Sequence, residues 1–154
     1  MTQGIDRRAL FPIGAGLAGV ALAPVAGAQP PAHVTSILEA GTHRITTDTR
    51  WDGDILVHPG ATIAIAPGAT LTLNGGLEAP VNRIFMGEGK VDLNQSHIPH
   101  AHPEWWGAAA GRGDIDSLAA IQACLAAHPV MHLLPADYYL SDTLVIDRPF
   151  ATVH

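Results

Sequence analysis

Residues 58–76 read HPGATIAIAPGATLTLNGG, and within them Pro-Gly-Ala-Thr followed by alternating aliphatics occurs twice, at Pro59 and again at Pro67. Aligning by eights adds a degenerate copy upstream: WDGDILVH (51–58), PGATIAIA (59–66) and PGATLTLN (67–74). Each copy ends in a spaced aliphatic pair, Ile55/Val57, Ile63/Ile65 and Leu71/Leu73, the period-two mark of a half-buried strand. Pro-Gly between them sets a turn, because Pro fixes φ at the first central position and Gly permits positive φ at the second. Four strand residues and four turn residues leave no room for a helix in the repeat. The three units together, 51–74, have the length of one three-sided coil of a β-solenoid. An antiparallel meander with Pro-Gly hairpins has the same periodicity. Two-residue hairpin loops prefer Asn-Gly or a leading Gly, which favours the solenoid.

Working downstream, RIFMGEGKVDL (83–93) reads as a further, irregular coil, with Ile84, Met86, Val91 and Leu93 pointing inward and Gly87 and Gly89 at turns. From His97 the texture changes. Leu118, Ile121 and Leu125 recur at helical spacing among alanines, so Ser117 to Ala127 is expected to be a short helix, with Asp114 or Asp116 as its N-cap and His128-Pro129 ending it. VMHLL and TLVI then read as strands around a turn at PADYY.

The order PEWWGA, GRGDIDSLAAIQACLAA, LLPADYYLSDTLVI, over roughly 103–146, resembles the opening of the pectate-lyase-like superfamily of right-handed parallel β-helices, which includes secreted polysaccharide-active proteins and phage tailspikes. Ala119-Ala120-Ile121-Gln122, Leu134-Pro135 and Tyr139 match the family pattern. The turn before the helix departs from it: Arg112, Ser117 and Leu118 replace an Asp, a second Asp and a Thr, and Asp137 replaces a Gly. The resemblance implies a mainly β fold: the start of a right-handed parallel β-helix with one short capping α-helix, preceded by a small β-repeat region. It divides the chain into a linker and first strand (29–50), a β-repeat accessory region (51–96), and the β-helix cap with a first, truncated coil (97–154).

Residues 1–28 have the plan of an export signal: Arg7-Arg8 in a polar head, an apolar run from Ile13 to Ala28, and Ala26-Gly27-Ala28 as an A-x-A cleavage site. Asp6-Arg7-Arg8-Ala9-Leu10-Phe11 further resembles a twin-arginine signal. The expected destination is periplasmic or extracellular, with a membrane anchor as the outcome if the signal is not cleaved. Cleavage leaves 126 of 154 residues and removes two positive charges and one negative, taking the net charge from −6 to −7. So acidic a chain argues against nucleic acid as a partner. Cys124 is the one cysteine, read as a small apolar core residue rather than a nucleophile.

No catalytic residue, metal or cofactor is expected. Asp52/Asp54 and Asp114/Asp116 are the neighbouring carboxylates, but each sits beside Gly, where Asp is favoured for local hydrogen bonds alone. His97, His100 and His102 form H-x-x-H-x-H. Two neighbouring prolines, with no Cys or acidic ligand expected after them, favour a loop with surface imidazoles over a metal site. Trp105 and Trp106 are the candidate sugar-stacking residues, one expected buried and one partly exposed. The resemblance implies polysaccharide as the partner, bound by coils downstream of DRPFATVH. Its alternative is the attachment region of a tailspike, tail fibre or adhesin, with a homotrimer possible.

Overall fold

The computed structural model describes residues 36–149 and 151–154; the export-signal residues Arg7, Arg8, Ala26 and Ala28 lie outside them. Nine strands come first, in three successive circuits. The first holds β1 (Ser36–Leu38), β2 (Gly41–Ile45) and β3 (Thr49–Trp51). β4 (Ile55–Val57), β5 (Ala61–Ile65) and β6 (Thr70–Leu73) make the second. The third comprises β7 (Leu77–Glu78), β8 (Phe85–Gly87) and β9 (Lys90–Asp92). Each circuit gives one strand to each of three sheets, ordered β1-β4-β7, β2-β5-β8 and β3-β6-β9.

The three eight-residue units are therefore the three sides of the second circuit, and they do not pair with one another. Every pair between named strands is parallel, which rules out the meander. Ile55 stands opposite Leu77 and Ile63 opposite Phe85, so each circuit is slightly shorter than three whole units would make it. The corners follow the Pro-Gly chemistry: Gly60 and Gly68 take φ of 86° and 81°, and Ala61 N–H and Ala69 N–H close the turns on His58 O and Ala66 O.

Alternation on these strands fills the interior. Ile63 stacks under Phe85, Ile45 beside Ile65, Leu71 between Thr49 and Val91, and Trp51 beside Leu73. Ile63, Leu71, Leu73, Ile84 and Leu93 have almost no exposed surface. Met86 departs from its expected inward position. Phe85 takes the inward place, and Met86 is 40% exposed, because successive side chains on a strand face opposite ways. The first circuit also begins earlier than expected, since 36–50 carries strands where the sequence suggested a linker and one strand.

Past β9 the chain keeps the same rungs. His97 N–H bonds Gly75 O, Ile84 N–H bonds Trp105 O, and Leu93 N–H bonds Ala127 O. A 3-10 turn, Pro103–Trp106, leads to β10 (Arg112–Asp116), α1 (Leu118–Ala127), β11 (Val130–Met131), β12 (Tyr138–Tyr139) and β13 (Thr152–Val153). α1 buries Ile121, Cys124, Leu125 and Ala127 and packs against β9, β11 and the 3-10 turn. Strands thus lie on both sides of the helix along the chain.

Three local expectations are corrected. GRGDID forms a strand, not a turn, because Arg112 and Asp116 pair in parallel with Tyr138 and Tyr139; the same pairing makes the end of PADYY a strand. Thr143–Ile146 is not a strand, and its Val145 and Ile146 are 63% and 49% exposed. The N-cap is Ser117 rather than either aspartate; Asp116, one residue earlier, still reaches the helix, accepting Leu118 N–H at 3.0 Å. Asp114 instead holds Arg112 through two bonds of 2.9 and 2.8 Å.

Candidate functional site

The carboxylates considered for catalysis are each engaged structurally. Asp52 accepts Arg50 and Asn74 at 2.7 and 2.5 Å, and Asp54 accepts Gly76 N–H at 2.7 Å. Asp114 is drawn by the Arg112 guanidinium to a pKa of about 2. Asp116 also accepts Ser141 Oγ at 2.6 Å, and these bonds, with that from Leu118 N–H, hold its carboxyl below the usual range. Burial pushes the Cys124 thiol up, the condition of an inert core cysteine.

The two indoles divide. Trp105 is buried, and Trp106 is half-buried with its ring centre 4.9 Å from that of Phe85. Trp106 borders a cavity of about 200 Å³ with Arg83, Met86, Ala119 and Ala123. That is below the ~300–1,000 Å³ of ordinary ligand pockets, so this seam between α1 and the sheets offers little room for a sugar ring.

Polar groups converge elsewhere, around the PEWW turn. Residue Ala101 bridges Met131, and Met131 pairs with Val153. All three point one way, so the residues after them, His102, His132 and His154, occupy one column on three neighbouring rungs. His100 lies two residues before His102, hence on the same face. The rings of His100, His102 and His132 have centres 4.9, 4.9 and 5.4 Å apart. His97, the first histidine of the motif, faces a different groove, with Ile98 and Glu78.

Glu104 lies behind these rings, 5% exposed. It is an acidic residue two positions past H-x-x-H-x-H, where none is expected from the motif. One carboxylate oxygen accepts a short bond from Tyr138 O–H, whose oxygen in turn accepts Leu134 N–H at 3.0 Å. The other oxygen stands 4.0 Å from His102 Nδ1. Both of those atoms, and Trp105 Nε1, are buried without a hydrogen-bond partner. Burial, then the neighbouring His100, lowers the pKa of His102; burial, then His132, lowers that of His100. Both are therefore neutral near pH 7. Among the described residues no group of three or more His, Cys, Asp or Glu could hold a metal ion.

Burial and the bond to Glu104 push the Tyr138 hydroxyl up to about 12. A raised pKa in the folded chain means that its stabilisation is complete below about pH 10, the unfolded value, and is lost as pH rises through 12. Titrating tyrosinate absorbance should show one late-ionising tyrosine that disappears in Tyr138→Phe. A normal ionisation in the folded protein would contradict the buried Tyr138–Glu104 bond.

No protein-family model matches the chain, and no curated protein or solved structure matches it either. No described helix is long and apolar enough to cross a membrane.

Proposed function

We propose that the chain is the export-signal-bearing start of a right-handed parallel β-helix protein that binds or acts on polysaccharide, with residues 51–154 as its non-catalytic accessory and capping region. The observation that carries this reading is the all-parallel pairing of each circuit with the next, β1-β4-β7, β2-β5-β8 and β3-β6-β9. Parallel pairing continues into the segment where PEWWGA, the helix and LLPADYY follow in the order of the resembled family. Within that segment Glu104 and Tyr138 hold the turn and the later strand together. The non-catalytic part rests on the engaged carboxylates, since a glycosidase needs two free to exchange protons or attack across a sugar.

The experiment has two arms. The chain, mixed with pectin-like and capsular acidic polysaccharides, is expected to release no new chain ends and to bind neither tightly. Residues 1–28 are expected to export a folded reporter, and to stop doing so when Arg7 and Arg8 are both changed to Lys. Turnover that vanishes in Asp114→Ala or Asp116→Ala would relocate the chemistry to this segment. A stable trimer with no export would favour the attachment-region reading.

A further inference from the structure

We propose that Asn74 is a spontaneous modification site: when the corner between β6 and β7 opens, its amide converts through Gly75 to aspartate or isoaspartate, and the product keeps the corner from closing again. Asn-Gly is the dipeptide in which this reaction meets least hindrance, because glycine has no side chain to shield its nitrogen. Asn74-Gly75 is the one such pair in the chain. The nitrogen of Gly75 attacks Cγ of Asn74 and forms a C–N bond, while the side-chain nitrogen leaves as ammonia, taking up the proton that Gly75 gives away. Water then opens the succinimide at either carbonyl. One opening gives aspartate; the other gives isoaspartate, in which the main chain runs through the former side chain. Water is the sole co-reactant, and nothing is oxidised or reduced.

The folded corner blocks this path. Ring closure needs the carboxamide to swing over the Gly75 nitrogen, yet it is held on the preceding circuit: Asn74 Nδ2 donates to Asp52 Oδ1 at 2.5 Å, and Asn74 N–H to Trp51 O at 2.9 Å. Gly75 is buried, which keeps base from the nitrogen that must lose its proton. Its carbonyl accepts His97 N–H at 3.2 Å, and Gly76 N–H bonds Asp54 at 2.7 Å. Conversion therefore follows the open fraction of the corner. The same contacts reject the product. Arg50, then Asn74, holds the Asp52 carboxyl below its usual range, so it is ionised at neutral pH. Conversion to aspartate replaces its Asn74 donor with a second carboxylate, turning a bond into repulsion between like charges. Isoaspartate adds a main-chain carbon directly before Gly75, where even an added Cβ would lie 2.2 Å from Gly53 O.

The test incubates the full chain at mildly alkaline pH with and without urea, and follows residue 74 by peptide mapping and mass spectrometry. A free peptide of residues 71–79 gives the unprotected rate. Conversion in urea is expected at the rate of the peptide, and in the native chain at least about 100-fold more slowly. After dilution from urea, converted chains should stay unfolded or melt below the parent by circular dichroism, while unconverted chains refold. Asn74→Ser removes the bond to Asp52 without adding charge or an amide to lose. It should keep its refolding yield through prolonged exposure to urea, while the parent's yield declines in step with conversion. Asn74→Asp supplies the aspartate product alone and should be less stable than Asn74→Ser. Native conversion at the rate of the peptide, converted chains that refold to the parent's melting point, or an equal decline of yield in Asn74→Ser would overturn the proposal.

Discussion

Leu71→Ala is expected to destabilise the protein by ~2–5 kcal/mol, toward the upper end of what a buried leucine normally costs. Leu71 has no exposed surface and sits on the middle strand of its sheet, opposite Thr49 on one side and Val91 on the other. The cost of such a truncation depends on how far the surroundings can close over the missing methyls. Here they cannot close along the stack, because parallel strands are held at their hydrogen-bonding separation of about 4.8 Å above and below. A domain of this size has only about 5–15 kcal/mol in total, so the variant should lose a large share of its denaturation midpoint. Met86→Ala removes a side chain of similar size from an outward position and should stay within about 0.5 kcal/mol. Equal losses in urea denaturation of the two variants would mean that the interior does not lie where the stacked columns put it.

The difference between these two residues also shows what the sequence made legible. In the second circuit local chemistry and burial agree. Pro-Gly corners separate strands whose spaced aliphatic pairs, Ile55/Val57, Ile63/Ile65 and Leu71/Leu73, all point inward, and β4, β5 and β6 can be read directly. The first circuit has no such corners, and its strands bury only Ile45, so SILEAGTHRITTDTRW lacks the alternation that marks a strand. Its strands exist because β4, β5 and β6 supply partners. The same holds for GRGDID, whose strand Arg112–Asp116 is exposed along its length, where pairing with Tyr138 and Tyr139 overrides a composition that favours turns. TLVI errs in the opposite direction, since apolar residues suggest a strand but do not supply one without a neighbour to bond.

Of the candidate site, the H-x-x-H-x-H motif was visible but its third useful imidazole was not. His132 lies well beyond His102 in the chain, across the whole of α1, and only the rung pairing of Ala101 with Met131 brings them together. At the advances of the earlier circuits the neighbour of His102 would have fallen within α1, no later than Cys124; the helix in this circuit shifts the match. Once the chain resumes, the advance from Ile55 to Leu77 recurs from Met131 to Val153 and hence from His132 to His154. Glu104 was legible in principle, two residues past His102, but its burial follows from the 3-10 turn, which no local periodicity announces.

Gly75→Val should be among the most damaging single changes on the outer strands and corners, at about 3 kcal/mol or more. An added Cβ at Gly75 would lie 2.2 Å from Gly53 O, 2.4 Å from Gly53 C and 2.8 Å from Asp54 N. All three are backbone atoms of the preceding circuit, so no side chain can rotate away to make room. Nor can the segment lift. Asn74 N–H bonds Trp51 O at 2.9 Å, Ile55 N–H bonds Gly76 O at 2.9 Å, and Gly76 N–H bonds the Asp54 carboxylate at 2.7 Å, while Gly75 O receives His97 N–H from the other side. Relief of the clash must break one or more of these bonds, each worth about 1 kcal/mol and more if its partner is left buried and unpaired. Even Gly75→Ala carries the same Cβ and should lose most of the same stability. Gly113 provides the comparison: a Cβ there meets nothing within 4 Å, and the residue sits in an exposed strand, so Gly113→Ala should be neutral or slightly stabilising. Thermal denaturation of the Ala pair at matched concentration checks the close approach of successive circuits directly, and a Gly75→Ala protein that melts with the parent would show that the two corners do not touch.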